Sequence, residues 1–182
     1  SSGLIVMSDV DKALSEYPPS IVSVMLANNE TGVIQDIKSL TKIVHAEGGI
    51  LHCDASQAFC KIEVDFNDLG CDLLTISSHK CGGPLGSAAL IAKKDLKLKA
   101  IINGGKQEQG LRSGTENLLS ICGFGIAANG YKEKIEKFKE VASLRDRIEQ
   151  ELQESEIISS SVRRLPNTSS IRMDGVKSEE QL

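Results

Sequence analysis

Short, largely apolar runs that include several β-branched residues alternate with polar turns along the first half of this chain, and this alternation constrains the fold most strongly. Three runs cover residues 21–27, 50–53 and 72–76, and polar residues follow each of them directly. Runs of this length are typical of strands that are covered on both faces of a sheet. Between the first two runs, with Asp36 as the predicted N-cap, apolar residues recur at helical spacing at Ile37, Leu40, Ile43 and Val44. This order predicts an α/β fold with a mostly parallel sheet flanked by helices.

Two further patterns complete the outline of the fold. Residues 86–92 form a fourth apolar run, and we expect an antiparallel or edge strand there because only a short loop precedes it. From Thr115 to about Glu154, apolar residues recur mostly at intervals of three and four, with charges between them, which predicts a helical region ending in a long amphipathic helix. Residues 169–173 then predict a strand of a second domain.

The composition excludes several classes of function. The formal net charge is −4 and aromatic residues make up 3% of the 182 residues, so we expect neither a nucleic-acid partner nor binding to an anionic membrane. No apolar stretch of the sequence is long enough to span a bilayer. The five cysteines include no CxxC pair, which favours reduced thiols and a cytoplasmic protein.

The polar residues that follow the predicted strands are candidates for a binding site. Asn29 follows the first strand, Asp54 stands at the end of the second, and Ser77–Lys80 follows the third. In open α/β sheets, ligands bind beyond the carboxyl ends of the strands. These three segments are therefore expected to meet at one edge of the sheet.

Lys80 is the candidate with the most specific surroundings. A lysine taken at random is a solvated surface residue, but Ser77, Ser78 and His79 precede this one and Gly82–Gly83 follows it. A lysine held near another cation in a dry pocket serves as a Schiff-base nucleophile. A hydroxyl, an imidazole and free backbone N–H groups suit a phosphate, and the glycines would let the backbone approach a ligand closely. The local string leaves both interpretations open.

Asp54 and Gln57 add a second chemical requirement. An Asp at a strand end is often only the N-cap of the next helix. Alternatively, a buried carboxylate keeps the ring nitrogen of pyridoxal phosphate protonated, which that cofactor needs to act as an electron sink. Gln57 would then donate a hydrogen bond to the phenolic oxygen of the cofactor.

Three other features have competing interpretations. The turn that contains Asn29 is either a plain turn or the source of an amide for a ligand. The stretch 104–115, rich in glycine, is either an anion-binding loop or a flexible loop with Thr115 as an N-cap. The pairs His52–Cys53 and His79–Cys81 lack the spacing of a zinc site, so no metal is expected.

Four strings together resemble one family. "ANNETGVIQDI", "LHCDASQAFCKIEVDF", "DLLTISSHKCGGPLGSAAL" and "GGKQEQGLRSGTEN" are similar to motifs of the class V aminotransferases, in particular the cysteine desulfurase and selenocysteine lyase group, in the same order and at about the same spacing. The resemblance runs from about Ile21 to Ala128. It implies a fold-type I enzyme that depends on pyridoxal 5'-phosphate and forms a homodimer.

The resemblance also implies roles around the cofactor ring. Lys80 would form the Schiff base with the cofactor, and Asp54 would pair with the pyridine nitrogen. Gln57 would reach the phenolic oxygen, and Asn29 would lie near that oxygen and the substrate.

The phosphate of the cofactor has its own implied partners. Ser77 and His79 would bind it from the same chain. Thr115 matches a residue that such dimers contribute to the phosphate across the interface.

The implied reaction removes sulfur from L-cysteine, leaving alanine and a persulfide on an enzyme cysteine. That sulfur would pass to an acceptor or scaffold protein for iron–sulfur cluster assembly or tRNA thiolation. None of the five cysteines stands at the position of the persulfide cysteine, so none is assigned as catalytic. Cys81, next to Lys80, is expected to point away from the substrate sulfur.

The resemblance further implies a division of the chain. Residues 1–128 would be most of the large cofactor-binding domain, 129–155 a long linking helix and 156–182 the start of a small α+β domain. The family's sequence continues beyond both ends, so this chain alone is expected to be inactive. Another class V enzyme, such as an aminotransferase, a kynureninase-like lyase or a selenocysteine lyase, and a non-catalytic remnant remain alternatives.

Overall fold

A four-stranded sheet forms the centre of the structure, a computed structural model that describes residues 2–17, 21–152 and 155–176. The strands lie side by side in chain order: β1 (Ile21–Met25), β2 (Ile50–Asp54), β3 (Leu73–Ser77) and β4 (Ala88–Ala92). The first three are parallel and β4 runs antiparallel to β3. The predicted α/β fold is confirmed, as is the antiparallel edge strand.

Helix α2 (Ile37–Ala46), the best predicted helix, packs against the sheet. The expectation that both faces of the first strand are covered was wrong for the described residues, because alternate positions of β1, Ile21 and Met25 among them, are exposed. The Asp36 carboxylate accepts a hydrogen bond from the Ser39 N–H at 3.0 Å, so it caps this helix as expected. Gly48, with φ of +71°, then allows the chain to leave the helix. Two further helices in this part of the chain were not predicted, α1 (Met7–Glu16) and α3 (Phe66–Leu69).

The predicted helical region is interrupted near its middle. It forms α4 (Leu118–Asn129) and α5 (Tyr131–Glu151), separated by Gly130, because glycine has a low propensity for a helix interior. The side chain of Asn117, not Thr115, caps α4, so the N-cap interpretation of Thr115 was wrong. Within the described residues, no helix is both long and apolar enough to cross a membrane.

A short antiparallel pair follows α5. It consists of β5 (Glu156–Ile157) and β6 (Ile171–Arg172), and β6 is the strand predicted near 169–173. The proposed division into 1–128, 129–155 and 156–182 stays a prediction, and residues 177–182 of its last part lie outside the described residues.

Two apolar clusters hold these elements together. The larger one packs α2 against the sheet through fully buried side chains such as Leu40, Val44 and Leu51. The smaller one joins Cys60, after β2, to Cys81, after β3, and to α4 and α5. In it the ring of Phe59 stacks on that of Tyr131, with 5.3 Å between centroids, and meets the edge of Phe124. This second cluster fixes the turn next to Lys80.

Candidate active site

The carboxyl ends of β1, β2 and β3 lie next to one another. In the sheet register, Met25 is opposite Asp54, and Asp54 is opposite Thr75. Beyond the strands, the Leu26 N–H donates to the Asp54 carbonyl oxygen at 2.8 Å, and the Ala55 N–H donates to that of Thr75 at 2.9 Å. The turns that carry Asn29, Asp54 and Lys80 therefore begin at the same edge of the sheet, as predicted.

A single 3-10 turn, His79–Cys81, presents Lys80 directly after β3. The N–H groups of Cys81 and Gly83 both donate to the Ser78 carbonyl oxygen at 3.0 Å. Gly82 has φ of +83°, and a Cβ at Gly83 would clash with the Ser78 Oγ. Both glycines are thus required by the turn itself, whereas we expected them to admit a ligand.

The neighbours Lys80 and Cys81 are in different environments. Lys80 is exposed, and its ammonium forms no hydrogen bond or ion pair with any described residue. Cys81 is only 5% exposed and its Sγ donates to the Ser78 carbonyl oxygen at 3.1 Å. The amine is therefore available to a ligand, while the thiol belongs to the smaller apolar cluster.

A second lysine holds this turn in place, and no pattern in the sequence indicates it. The Nζ of Lys134, near the start of α5, donates to the carbonyl oxygens of Cys81 at 2.6 Å and Ala127 at 2.7 Å. Ala127 lies near the end of α4, where carbonyl groups lack helical partners. Lys134 thereby ties the Lys80 turn to the junction of the two helices.

Ser77 and His79 form a polar pair beside Lys80. The Ser77 Oγ and the His79 Nδ1 are hydrogen-bonded at 2.9 Å. Ser77 is partly exposed and His79 is exposed. A hydroxyl, an imidazole and an ammonium on one turn form a set of donors that suits a phosphate.

Asp54, partly buried, presents a carboxylate at the end of β2. Its Oδ1 accepts a hydrogen bond from the Ser56 N–H at 2.9 Å, while Oδ2 has no partner among the described residues. Residues 55–62 form successive turns and no regular helix, so Asp54 is not a helix N-cap. One carboxylate oxygen is held by the backbone and the other remains available to a ligand.

Gln57 lies in those turns and is held by a residue that the sequence analysis did not single out. The Nζ of Lys61 donates to the Gln57 Oε1 at 3.0 Å, and Lys61 is only 8% exposed. Burial lowers the pKa of Lys61, and the positive charge of Lys80 lowers it further. The only signal for this contact in the sequence is a lysine four residues after Gln57.

Asn29 is exposed at the tip of its turn. The turn is stabilised by the Asn28 Oδ1, which accepts hydrogen bonds from the N–H groups of Glu30 at 2.9 Å and Thr31 at 2.8 Å. The Asn29 side chain itself forms no hydrogen bond with the described residues, so its amide is available.

Thr115 is exposed on the loop before α4 and forms no hydrogen bond within the described part of the chain. It is therefore not tied to the other six predicted residues, and its contribution across a dimer interface stays a prediction.

The histidines and cysteines considered for a metal are dispersed. Both ring nitrogens of His52 are hydrogen-bonded, Nδ1 to the Ser23 Oγ at 2.7 Å and Nε2 to the Thr75 Oγ1 at 2.8 Å. Among the described residues, no three side chains of His, Cys, Asp or Glu form a group that fits a metal ion.

The family of the chain follows from comparison with known proteins. The sequence profile described as Aminotransferase class-V matches residues 1–182. The chain belongs to this family. The predicted resemblance is therefore confirmed.

Individual class V relatives are similar over most of this chain. The cysteine desulfurase of Gluconacetobacter diazotrophicus is 38% identical over 178 residues, which cover 94% of this chain and 44% of the relative. The X-ray structure of a NifS-like protein from Rickettsia africae superposes on this chain with a TM-score of 0.94 at 36% identity. The match covers all of this chain and 52% of the Rickettsia chain. A structure named SspA in complex with cysteine matches with a TM-score of 0.80 at 28% identity. This match covers 98% of this chain and 50% of the SspA chain. The chain thus spans less than half the length of the curated relatives it matches.

Class V aminotransferases depend on pyridoxal phosphate, and the available side chains fit that cofactor. An unpaired amine, a carboxylate oxygen without a partner in the described part of the chain and a Ser–His pair stand at one edge of the sheet, at Lys80, Asp54 and Ser77–His79. These groups match an aldehyde, a protonated ring nitrogen and a phosphate, respectively.

Proposed function

We propose that this chain is the cofactor-binding part of a cysteine desulfurase, an enzyme that removes sulfur from L-cysteine and leaves alanine and an enzyme persulfide. The observation that supports it most is the exposed Lys80, unpaired among the described residues, beside Ser77 and His79, with the Asp54 carboxylate on the neighbouring strand. Relatives named cysteine desulfurase, and the relative named as a complex with cysteine, support this substrate.

Each side chain of the site has a separate task in this proposal. When bound, pyridoxal phosphate supplies an electron sink for bonds at the α-carbon of the substrate. Lys80 binds the aldehyde carbon, and Asp54 holds the proton on the ring nitrogen. Gln57 would donate to the phenolic oxygen, and Asn29 would offer its amide to that oxygen and the substrate.

Ser77 and His79 would bind the phosphate of the cofactor, and in a homodimer Thr115 of the second subunit would join them. The persulfide cysteine is proposed to lie outside this chain, because none of its five cysteines stands at the position that the family resemblance implies for it. Cys53, Cys60, Cys71 and Cys81 are also buried. We therefore expect no turnover from this chain alone. In the complete protein, the sulfur passes to an acceptor or scaffold protein of iron–sulfur cluster assembly or thiolation in the cytoplasm.

The first experiment is a spectroscopic titration of the protein with pyridoxal phosphate. A visible absorbance band is expected in the wild type, lost in Lys80→Ala and kept in Lys94→Ala. Lys94 is an exposed lysine outside the site, and this control separates binding at Lys80 from reaction with surface lysines. A band that persists in Lys80→Ala would contradict the proposal.

The second experiment addresses the substrate. The complete protein is expected to release sulfide from L-cysteine in the presence of a reductant. Release of selenide from selenocysteine without any release of sulfide would instead show a selenocysteine lyase.

A further inference from the structure

Lys61 is a buried residue without a carboxylate partner among the described residues. Lys61 is 8% exposed, and no acidic side chain of the described residues lies within ion-pair distance of its Nζ. Within that part of the chain, its sole hydrogen bond is the one to the Gln57 Oε1 at 3.0 Å. Lysines are almost never this buried without a countercharge, because desolvation of the ammonium is unfavourable. Within the described residues, Lys61 therefore has no ion pair that would offset the desolvation of its charge.

The chemistry of the contact determines how the Gln57 amide is oriented. An ammonium has three donors and no acceptor, so only the carbonyl oxygen of the amide can face it. The Gln57 NH₂ group must then point away from Lys61, and it forms no hydrogen bond with any described residue. The contact with Lys61 is the one hydrogen bond among the described residues that distinguishes the two ends of this amide.

The backbone turns after Asp54 bring the side chains of Gln57 and Lys61 close together. In the turns after Asp54, the Phe59 N–H donates to the Ala55 carbonyl oxygen at 2.9 Å and the Ile62 N–H to that of Ala58 at 3.0 Å. The Lys61 N–H donates to the Ala58 carbonyl oxygen at 3.0 Å, and Cys60 adopts a left-handed φ of +64°, so this is a compact series of turns that brings the side chains of Gln57 and Lys61 into contact. Cys60, which precedes Lys61, packs in the same small apolar cluster as Cys81, which follows Lys80, so the contact lies near the turn that carries Lys80.

We propose that Lys61 is a positioning residue, which holds the Gln57 amide with its NH₂ group directed to the phenolic oxygen of the bound cofactor. This inference rests on the proposed function for the ligand, but the orientation of the amide does not depend on it. Lys61 acts through Gln57 and does not touch the cofactor.

The orientation is tested first in the cofactor-free protein. The side-chain carbonyl ¹³C resonance of Gln57 reports the hydrogen bond that Oε1 accepts. We expect it to move upfield in Lys61→Met, and to stay near the wild-type position in Lys61→Arg, which retains a cationic donor. An unchanged resonance in a folded Lys61→Met protein would overturn the proposal, whether or not the protein binds pyridoxal phosphate.

The second measurement is a pH titration of the visible band that requires Lys80. An N–H donated to the phenolic oxygen stabilises its negative charge, so loss of this donor lets the adjoining Lys80 nitrogen hold its proton to higher pH. We expect the midpoint in Lys61→Met to rise by about half to one pH unit, from the usual strength of one hydrogen bond. Lys61→Arg should restore the midpoint, and Lys132→Met, which removes an exposed charge on α5, should leave it unchanged.

A double-variant comparison separates positioning from a direct charge effect. In a Gln57→Leu background, Lys61→Met should cause no further change in the midpoint. An equal shift in both backgrounds would show that the charge acts without Gln57 and would overturn the proposal. Loss of the band in the wild type would instead contradict the proposed function, leaving the ¹³C measurement to decide the role of Lys61.

Discussion

The guanidinium of Arg164 donates two parallel hydrogen bonds to the carboxylate of Glu149 on α5, at 2.7 and 2.8 Å. The two side chains are 6% and 12% exposed. Next to Arg164 in the chain, the Leu165 N–H donates to the Gly32 carbonyl oxygen at 2.7 Å. The ion pair thus connects α5 to the turn that carries Asn29, far away in the sequence.

The first prediction is that Glu149→Gln lowers the free energy of unfolding by about 3 kcal/mol, the lower end of the range for breaking a buried ion pair. The loss is expected because Arg164 would keep its charge and lose its countercharge. Urea denaturation followed by circular dichroism measures this change.

Glu136→Gln is the matched control on the same helix. Glu136 pairs with Lys139, but both side chains are about two-thirds exposed, at 68% and 66%. An exposed pair of this kind contributes at most about 0.5 kcal/mol. Equal losses in the two variants would contradict the role assigned to Glu149.

The second prediction concerns acid stability and Asp72, whose side chain is 12% exposed. Burial alone raises the pKa of Asp72, but hydrogen bonds from the Lys93 Nζ at 2.8 Å, the His45 Nε2 at 2.7 Å and the Leu51 N–H at 2.8 Å outweigh it. They hold the pKa of this carboxyl below its ordinary value of 3.8. Since the folded-state pKa is the lower one, the carboxylate stabilises the fold above pH 3.8, and this contribution is lost as the pH falls through the folded-state value.

Asp72→Asn should therefore be less stable than the wild type by about 2 kcal/mol at pH 6, from hydrogen bonds to a charged group. The difference should shrink steadily as the pH is lowered below 3.8. Urea midpoints measured from pH 6 downward test this, and Lys93→Met should show a smaller acid-dependent loss than the wild type. A difference between Asp72→Asn and the wild type that does not vary with pH would refute the linkage.

The third prediction is that one of the five thiols reacts rapidly in the native protein. Cys122 on α4 is exposed, whereas Cys53, Cys60, Cys71 and Cys81 are buried. Burial, together with the nearby Cys81, raises the pKa of Cys60 to about 11, and the contact with Cys71 together with burial raises the pKa of Cys53. The thiolate is the reactive form of cysteine, so both burial and the raised pKa slow the reaction of Cys53 and Cys60.

Labelling with a maleimide under native conditions, followed by mass spectrometry, should modify Cys122 first. In Cys122→Ser, fast labelling should disappear, and all remaining thiols should react only in urea. Rapid modification of Cys60 or Cys81 in the folded variant would contradict the packing of the smaller apolar cluster.

The parts of the fold that were predictable from the sequence share a local cause. The strands have apolar runs bounded by polar residues, and α2 has both a capping Asp36 and a terminating Gly48, so each boundary is marked by the residues that form it. Helix α1 was missed because only Met7, Val10 and Leu14 mark its buried face. The break at Gly130 was missed because the apolar spacing continues almost unchanged across it.

The candidate site likewise contains residues that were predictable from the sequence and contacts that were not. Residues at strand ends were predictable because parallel strands must end at one edge. The contacts of Lys61 and Lys134 depend on where two flexible side chains come to rest in three dimensions, and the sequence carries little information on that. The glycines after Lys80 were assigned to a ligand because the close approach of Gly83 to the Ser78 side chain depends on how this turn closes, which the sequence pattern does not show.

The fourth prediction concerns Asp54 in the complete protein. Asp54→Asn retains the shape of the side chain and an acceptor for the Ser56 N–H, but it removes the negative charge that would hold the proton on the ring nitrogen. We expect turnover of L-cysteine to fall at least about 100-fold, the scale of losing one electrostatic contact to the reacting group. The Lys80-dependent absorbance band should persist, because the substitution would leave Lys80 and the phosphate-binding residues in place. Asp95→Asn, at an exposed position beyond β4, is the control and should keep full turnover. Near-normal turnover in Asp54→Asn, measured as sulfide released at saturating cysteine, would exclude the role at the ring nitrogen while leaving Lys80 as the site of attachment.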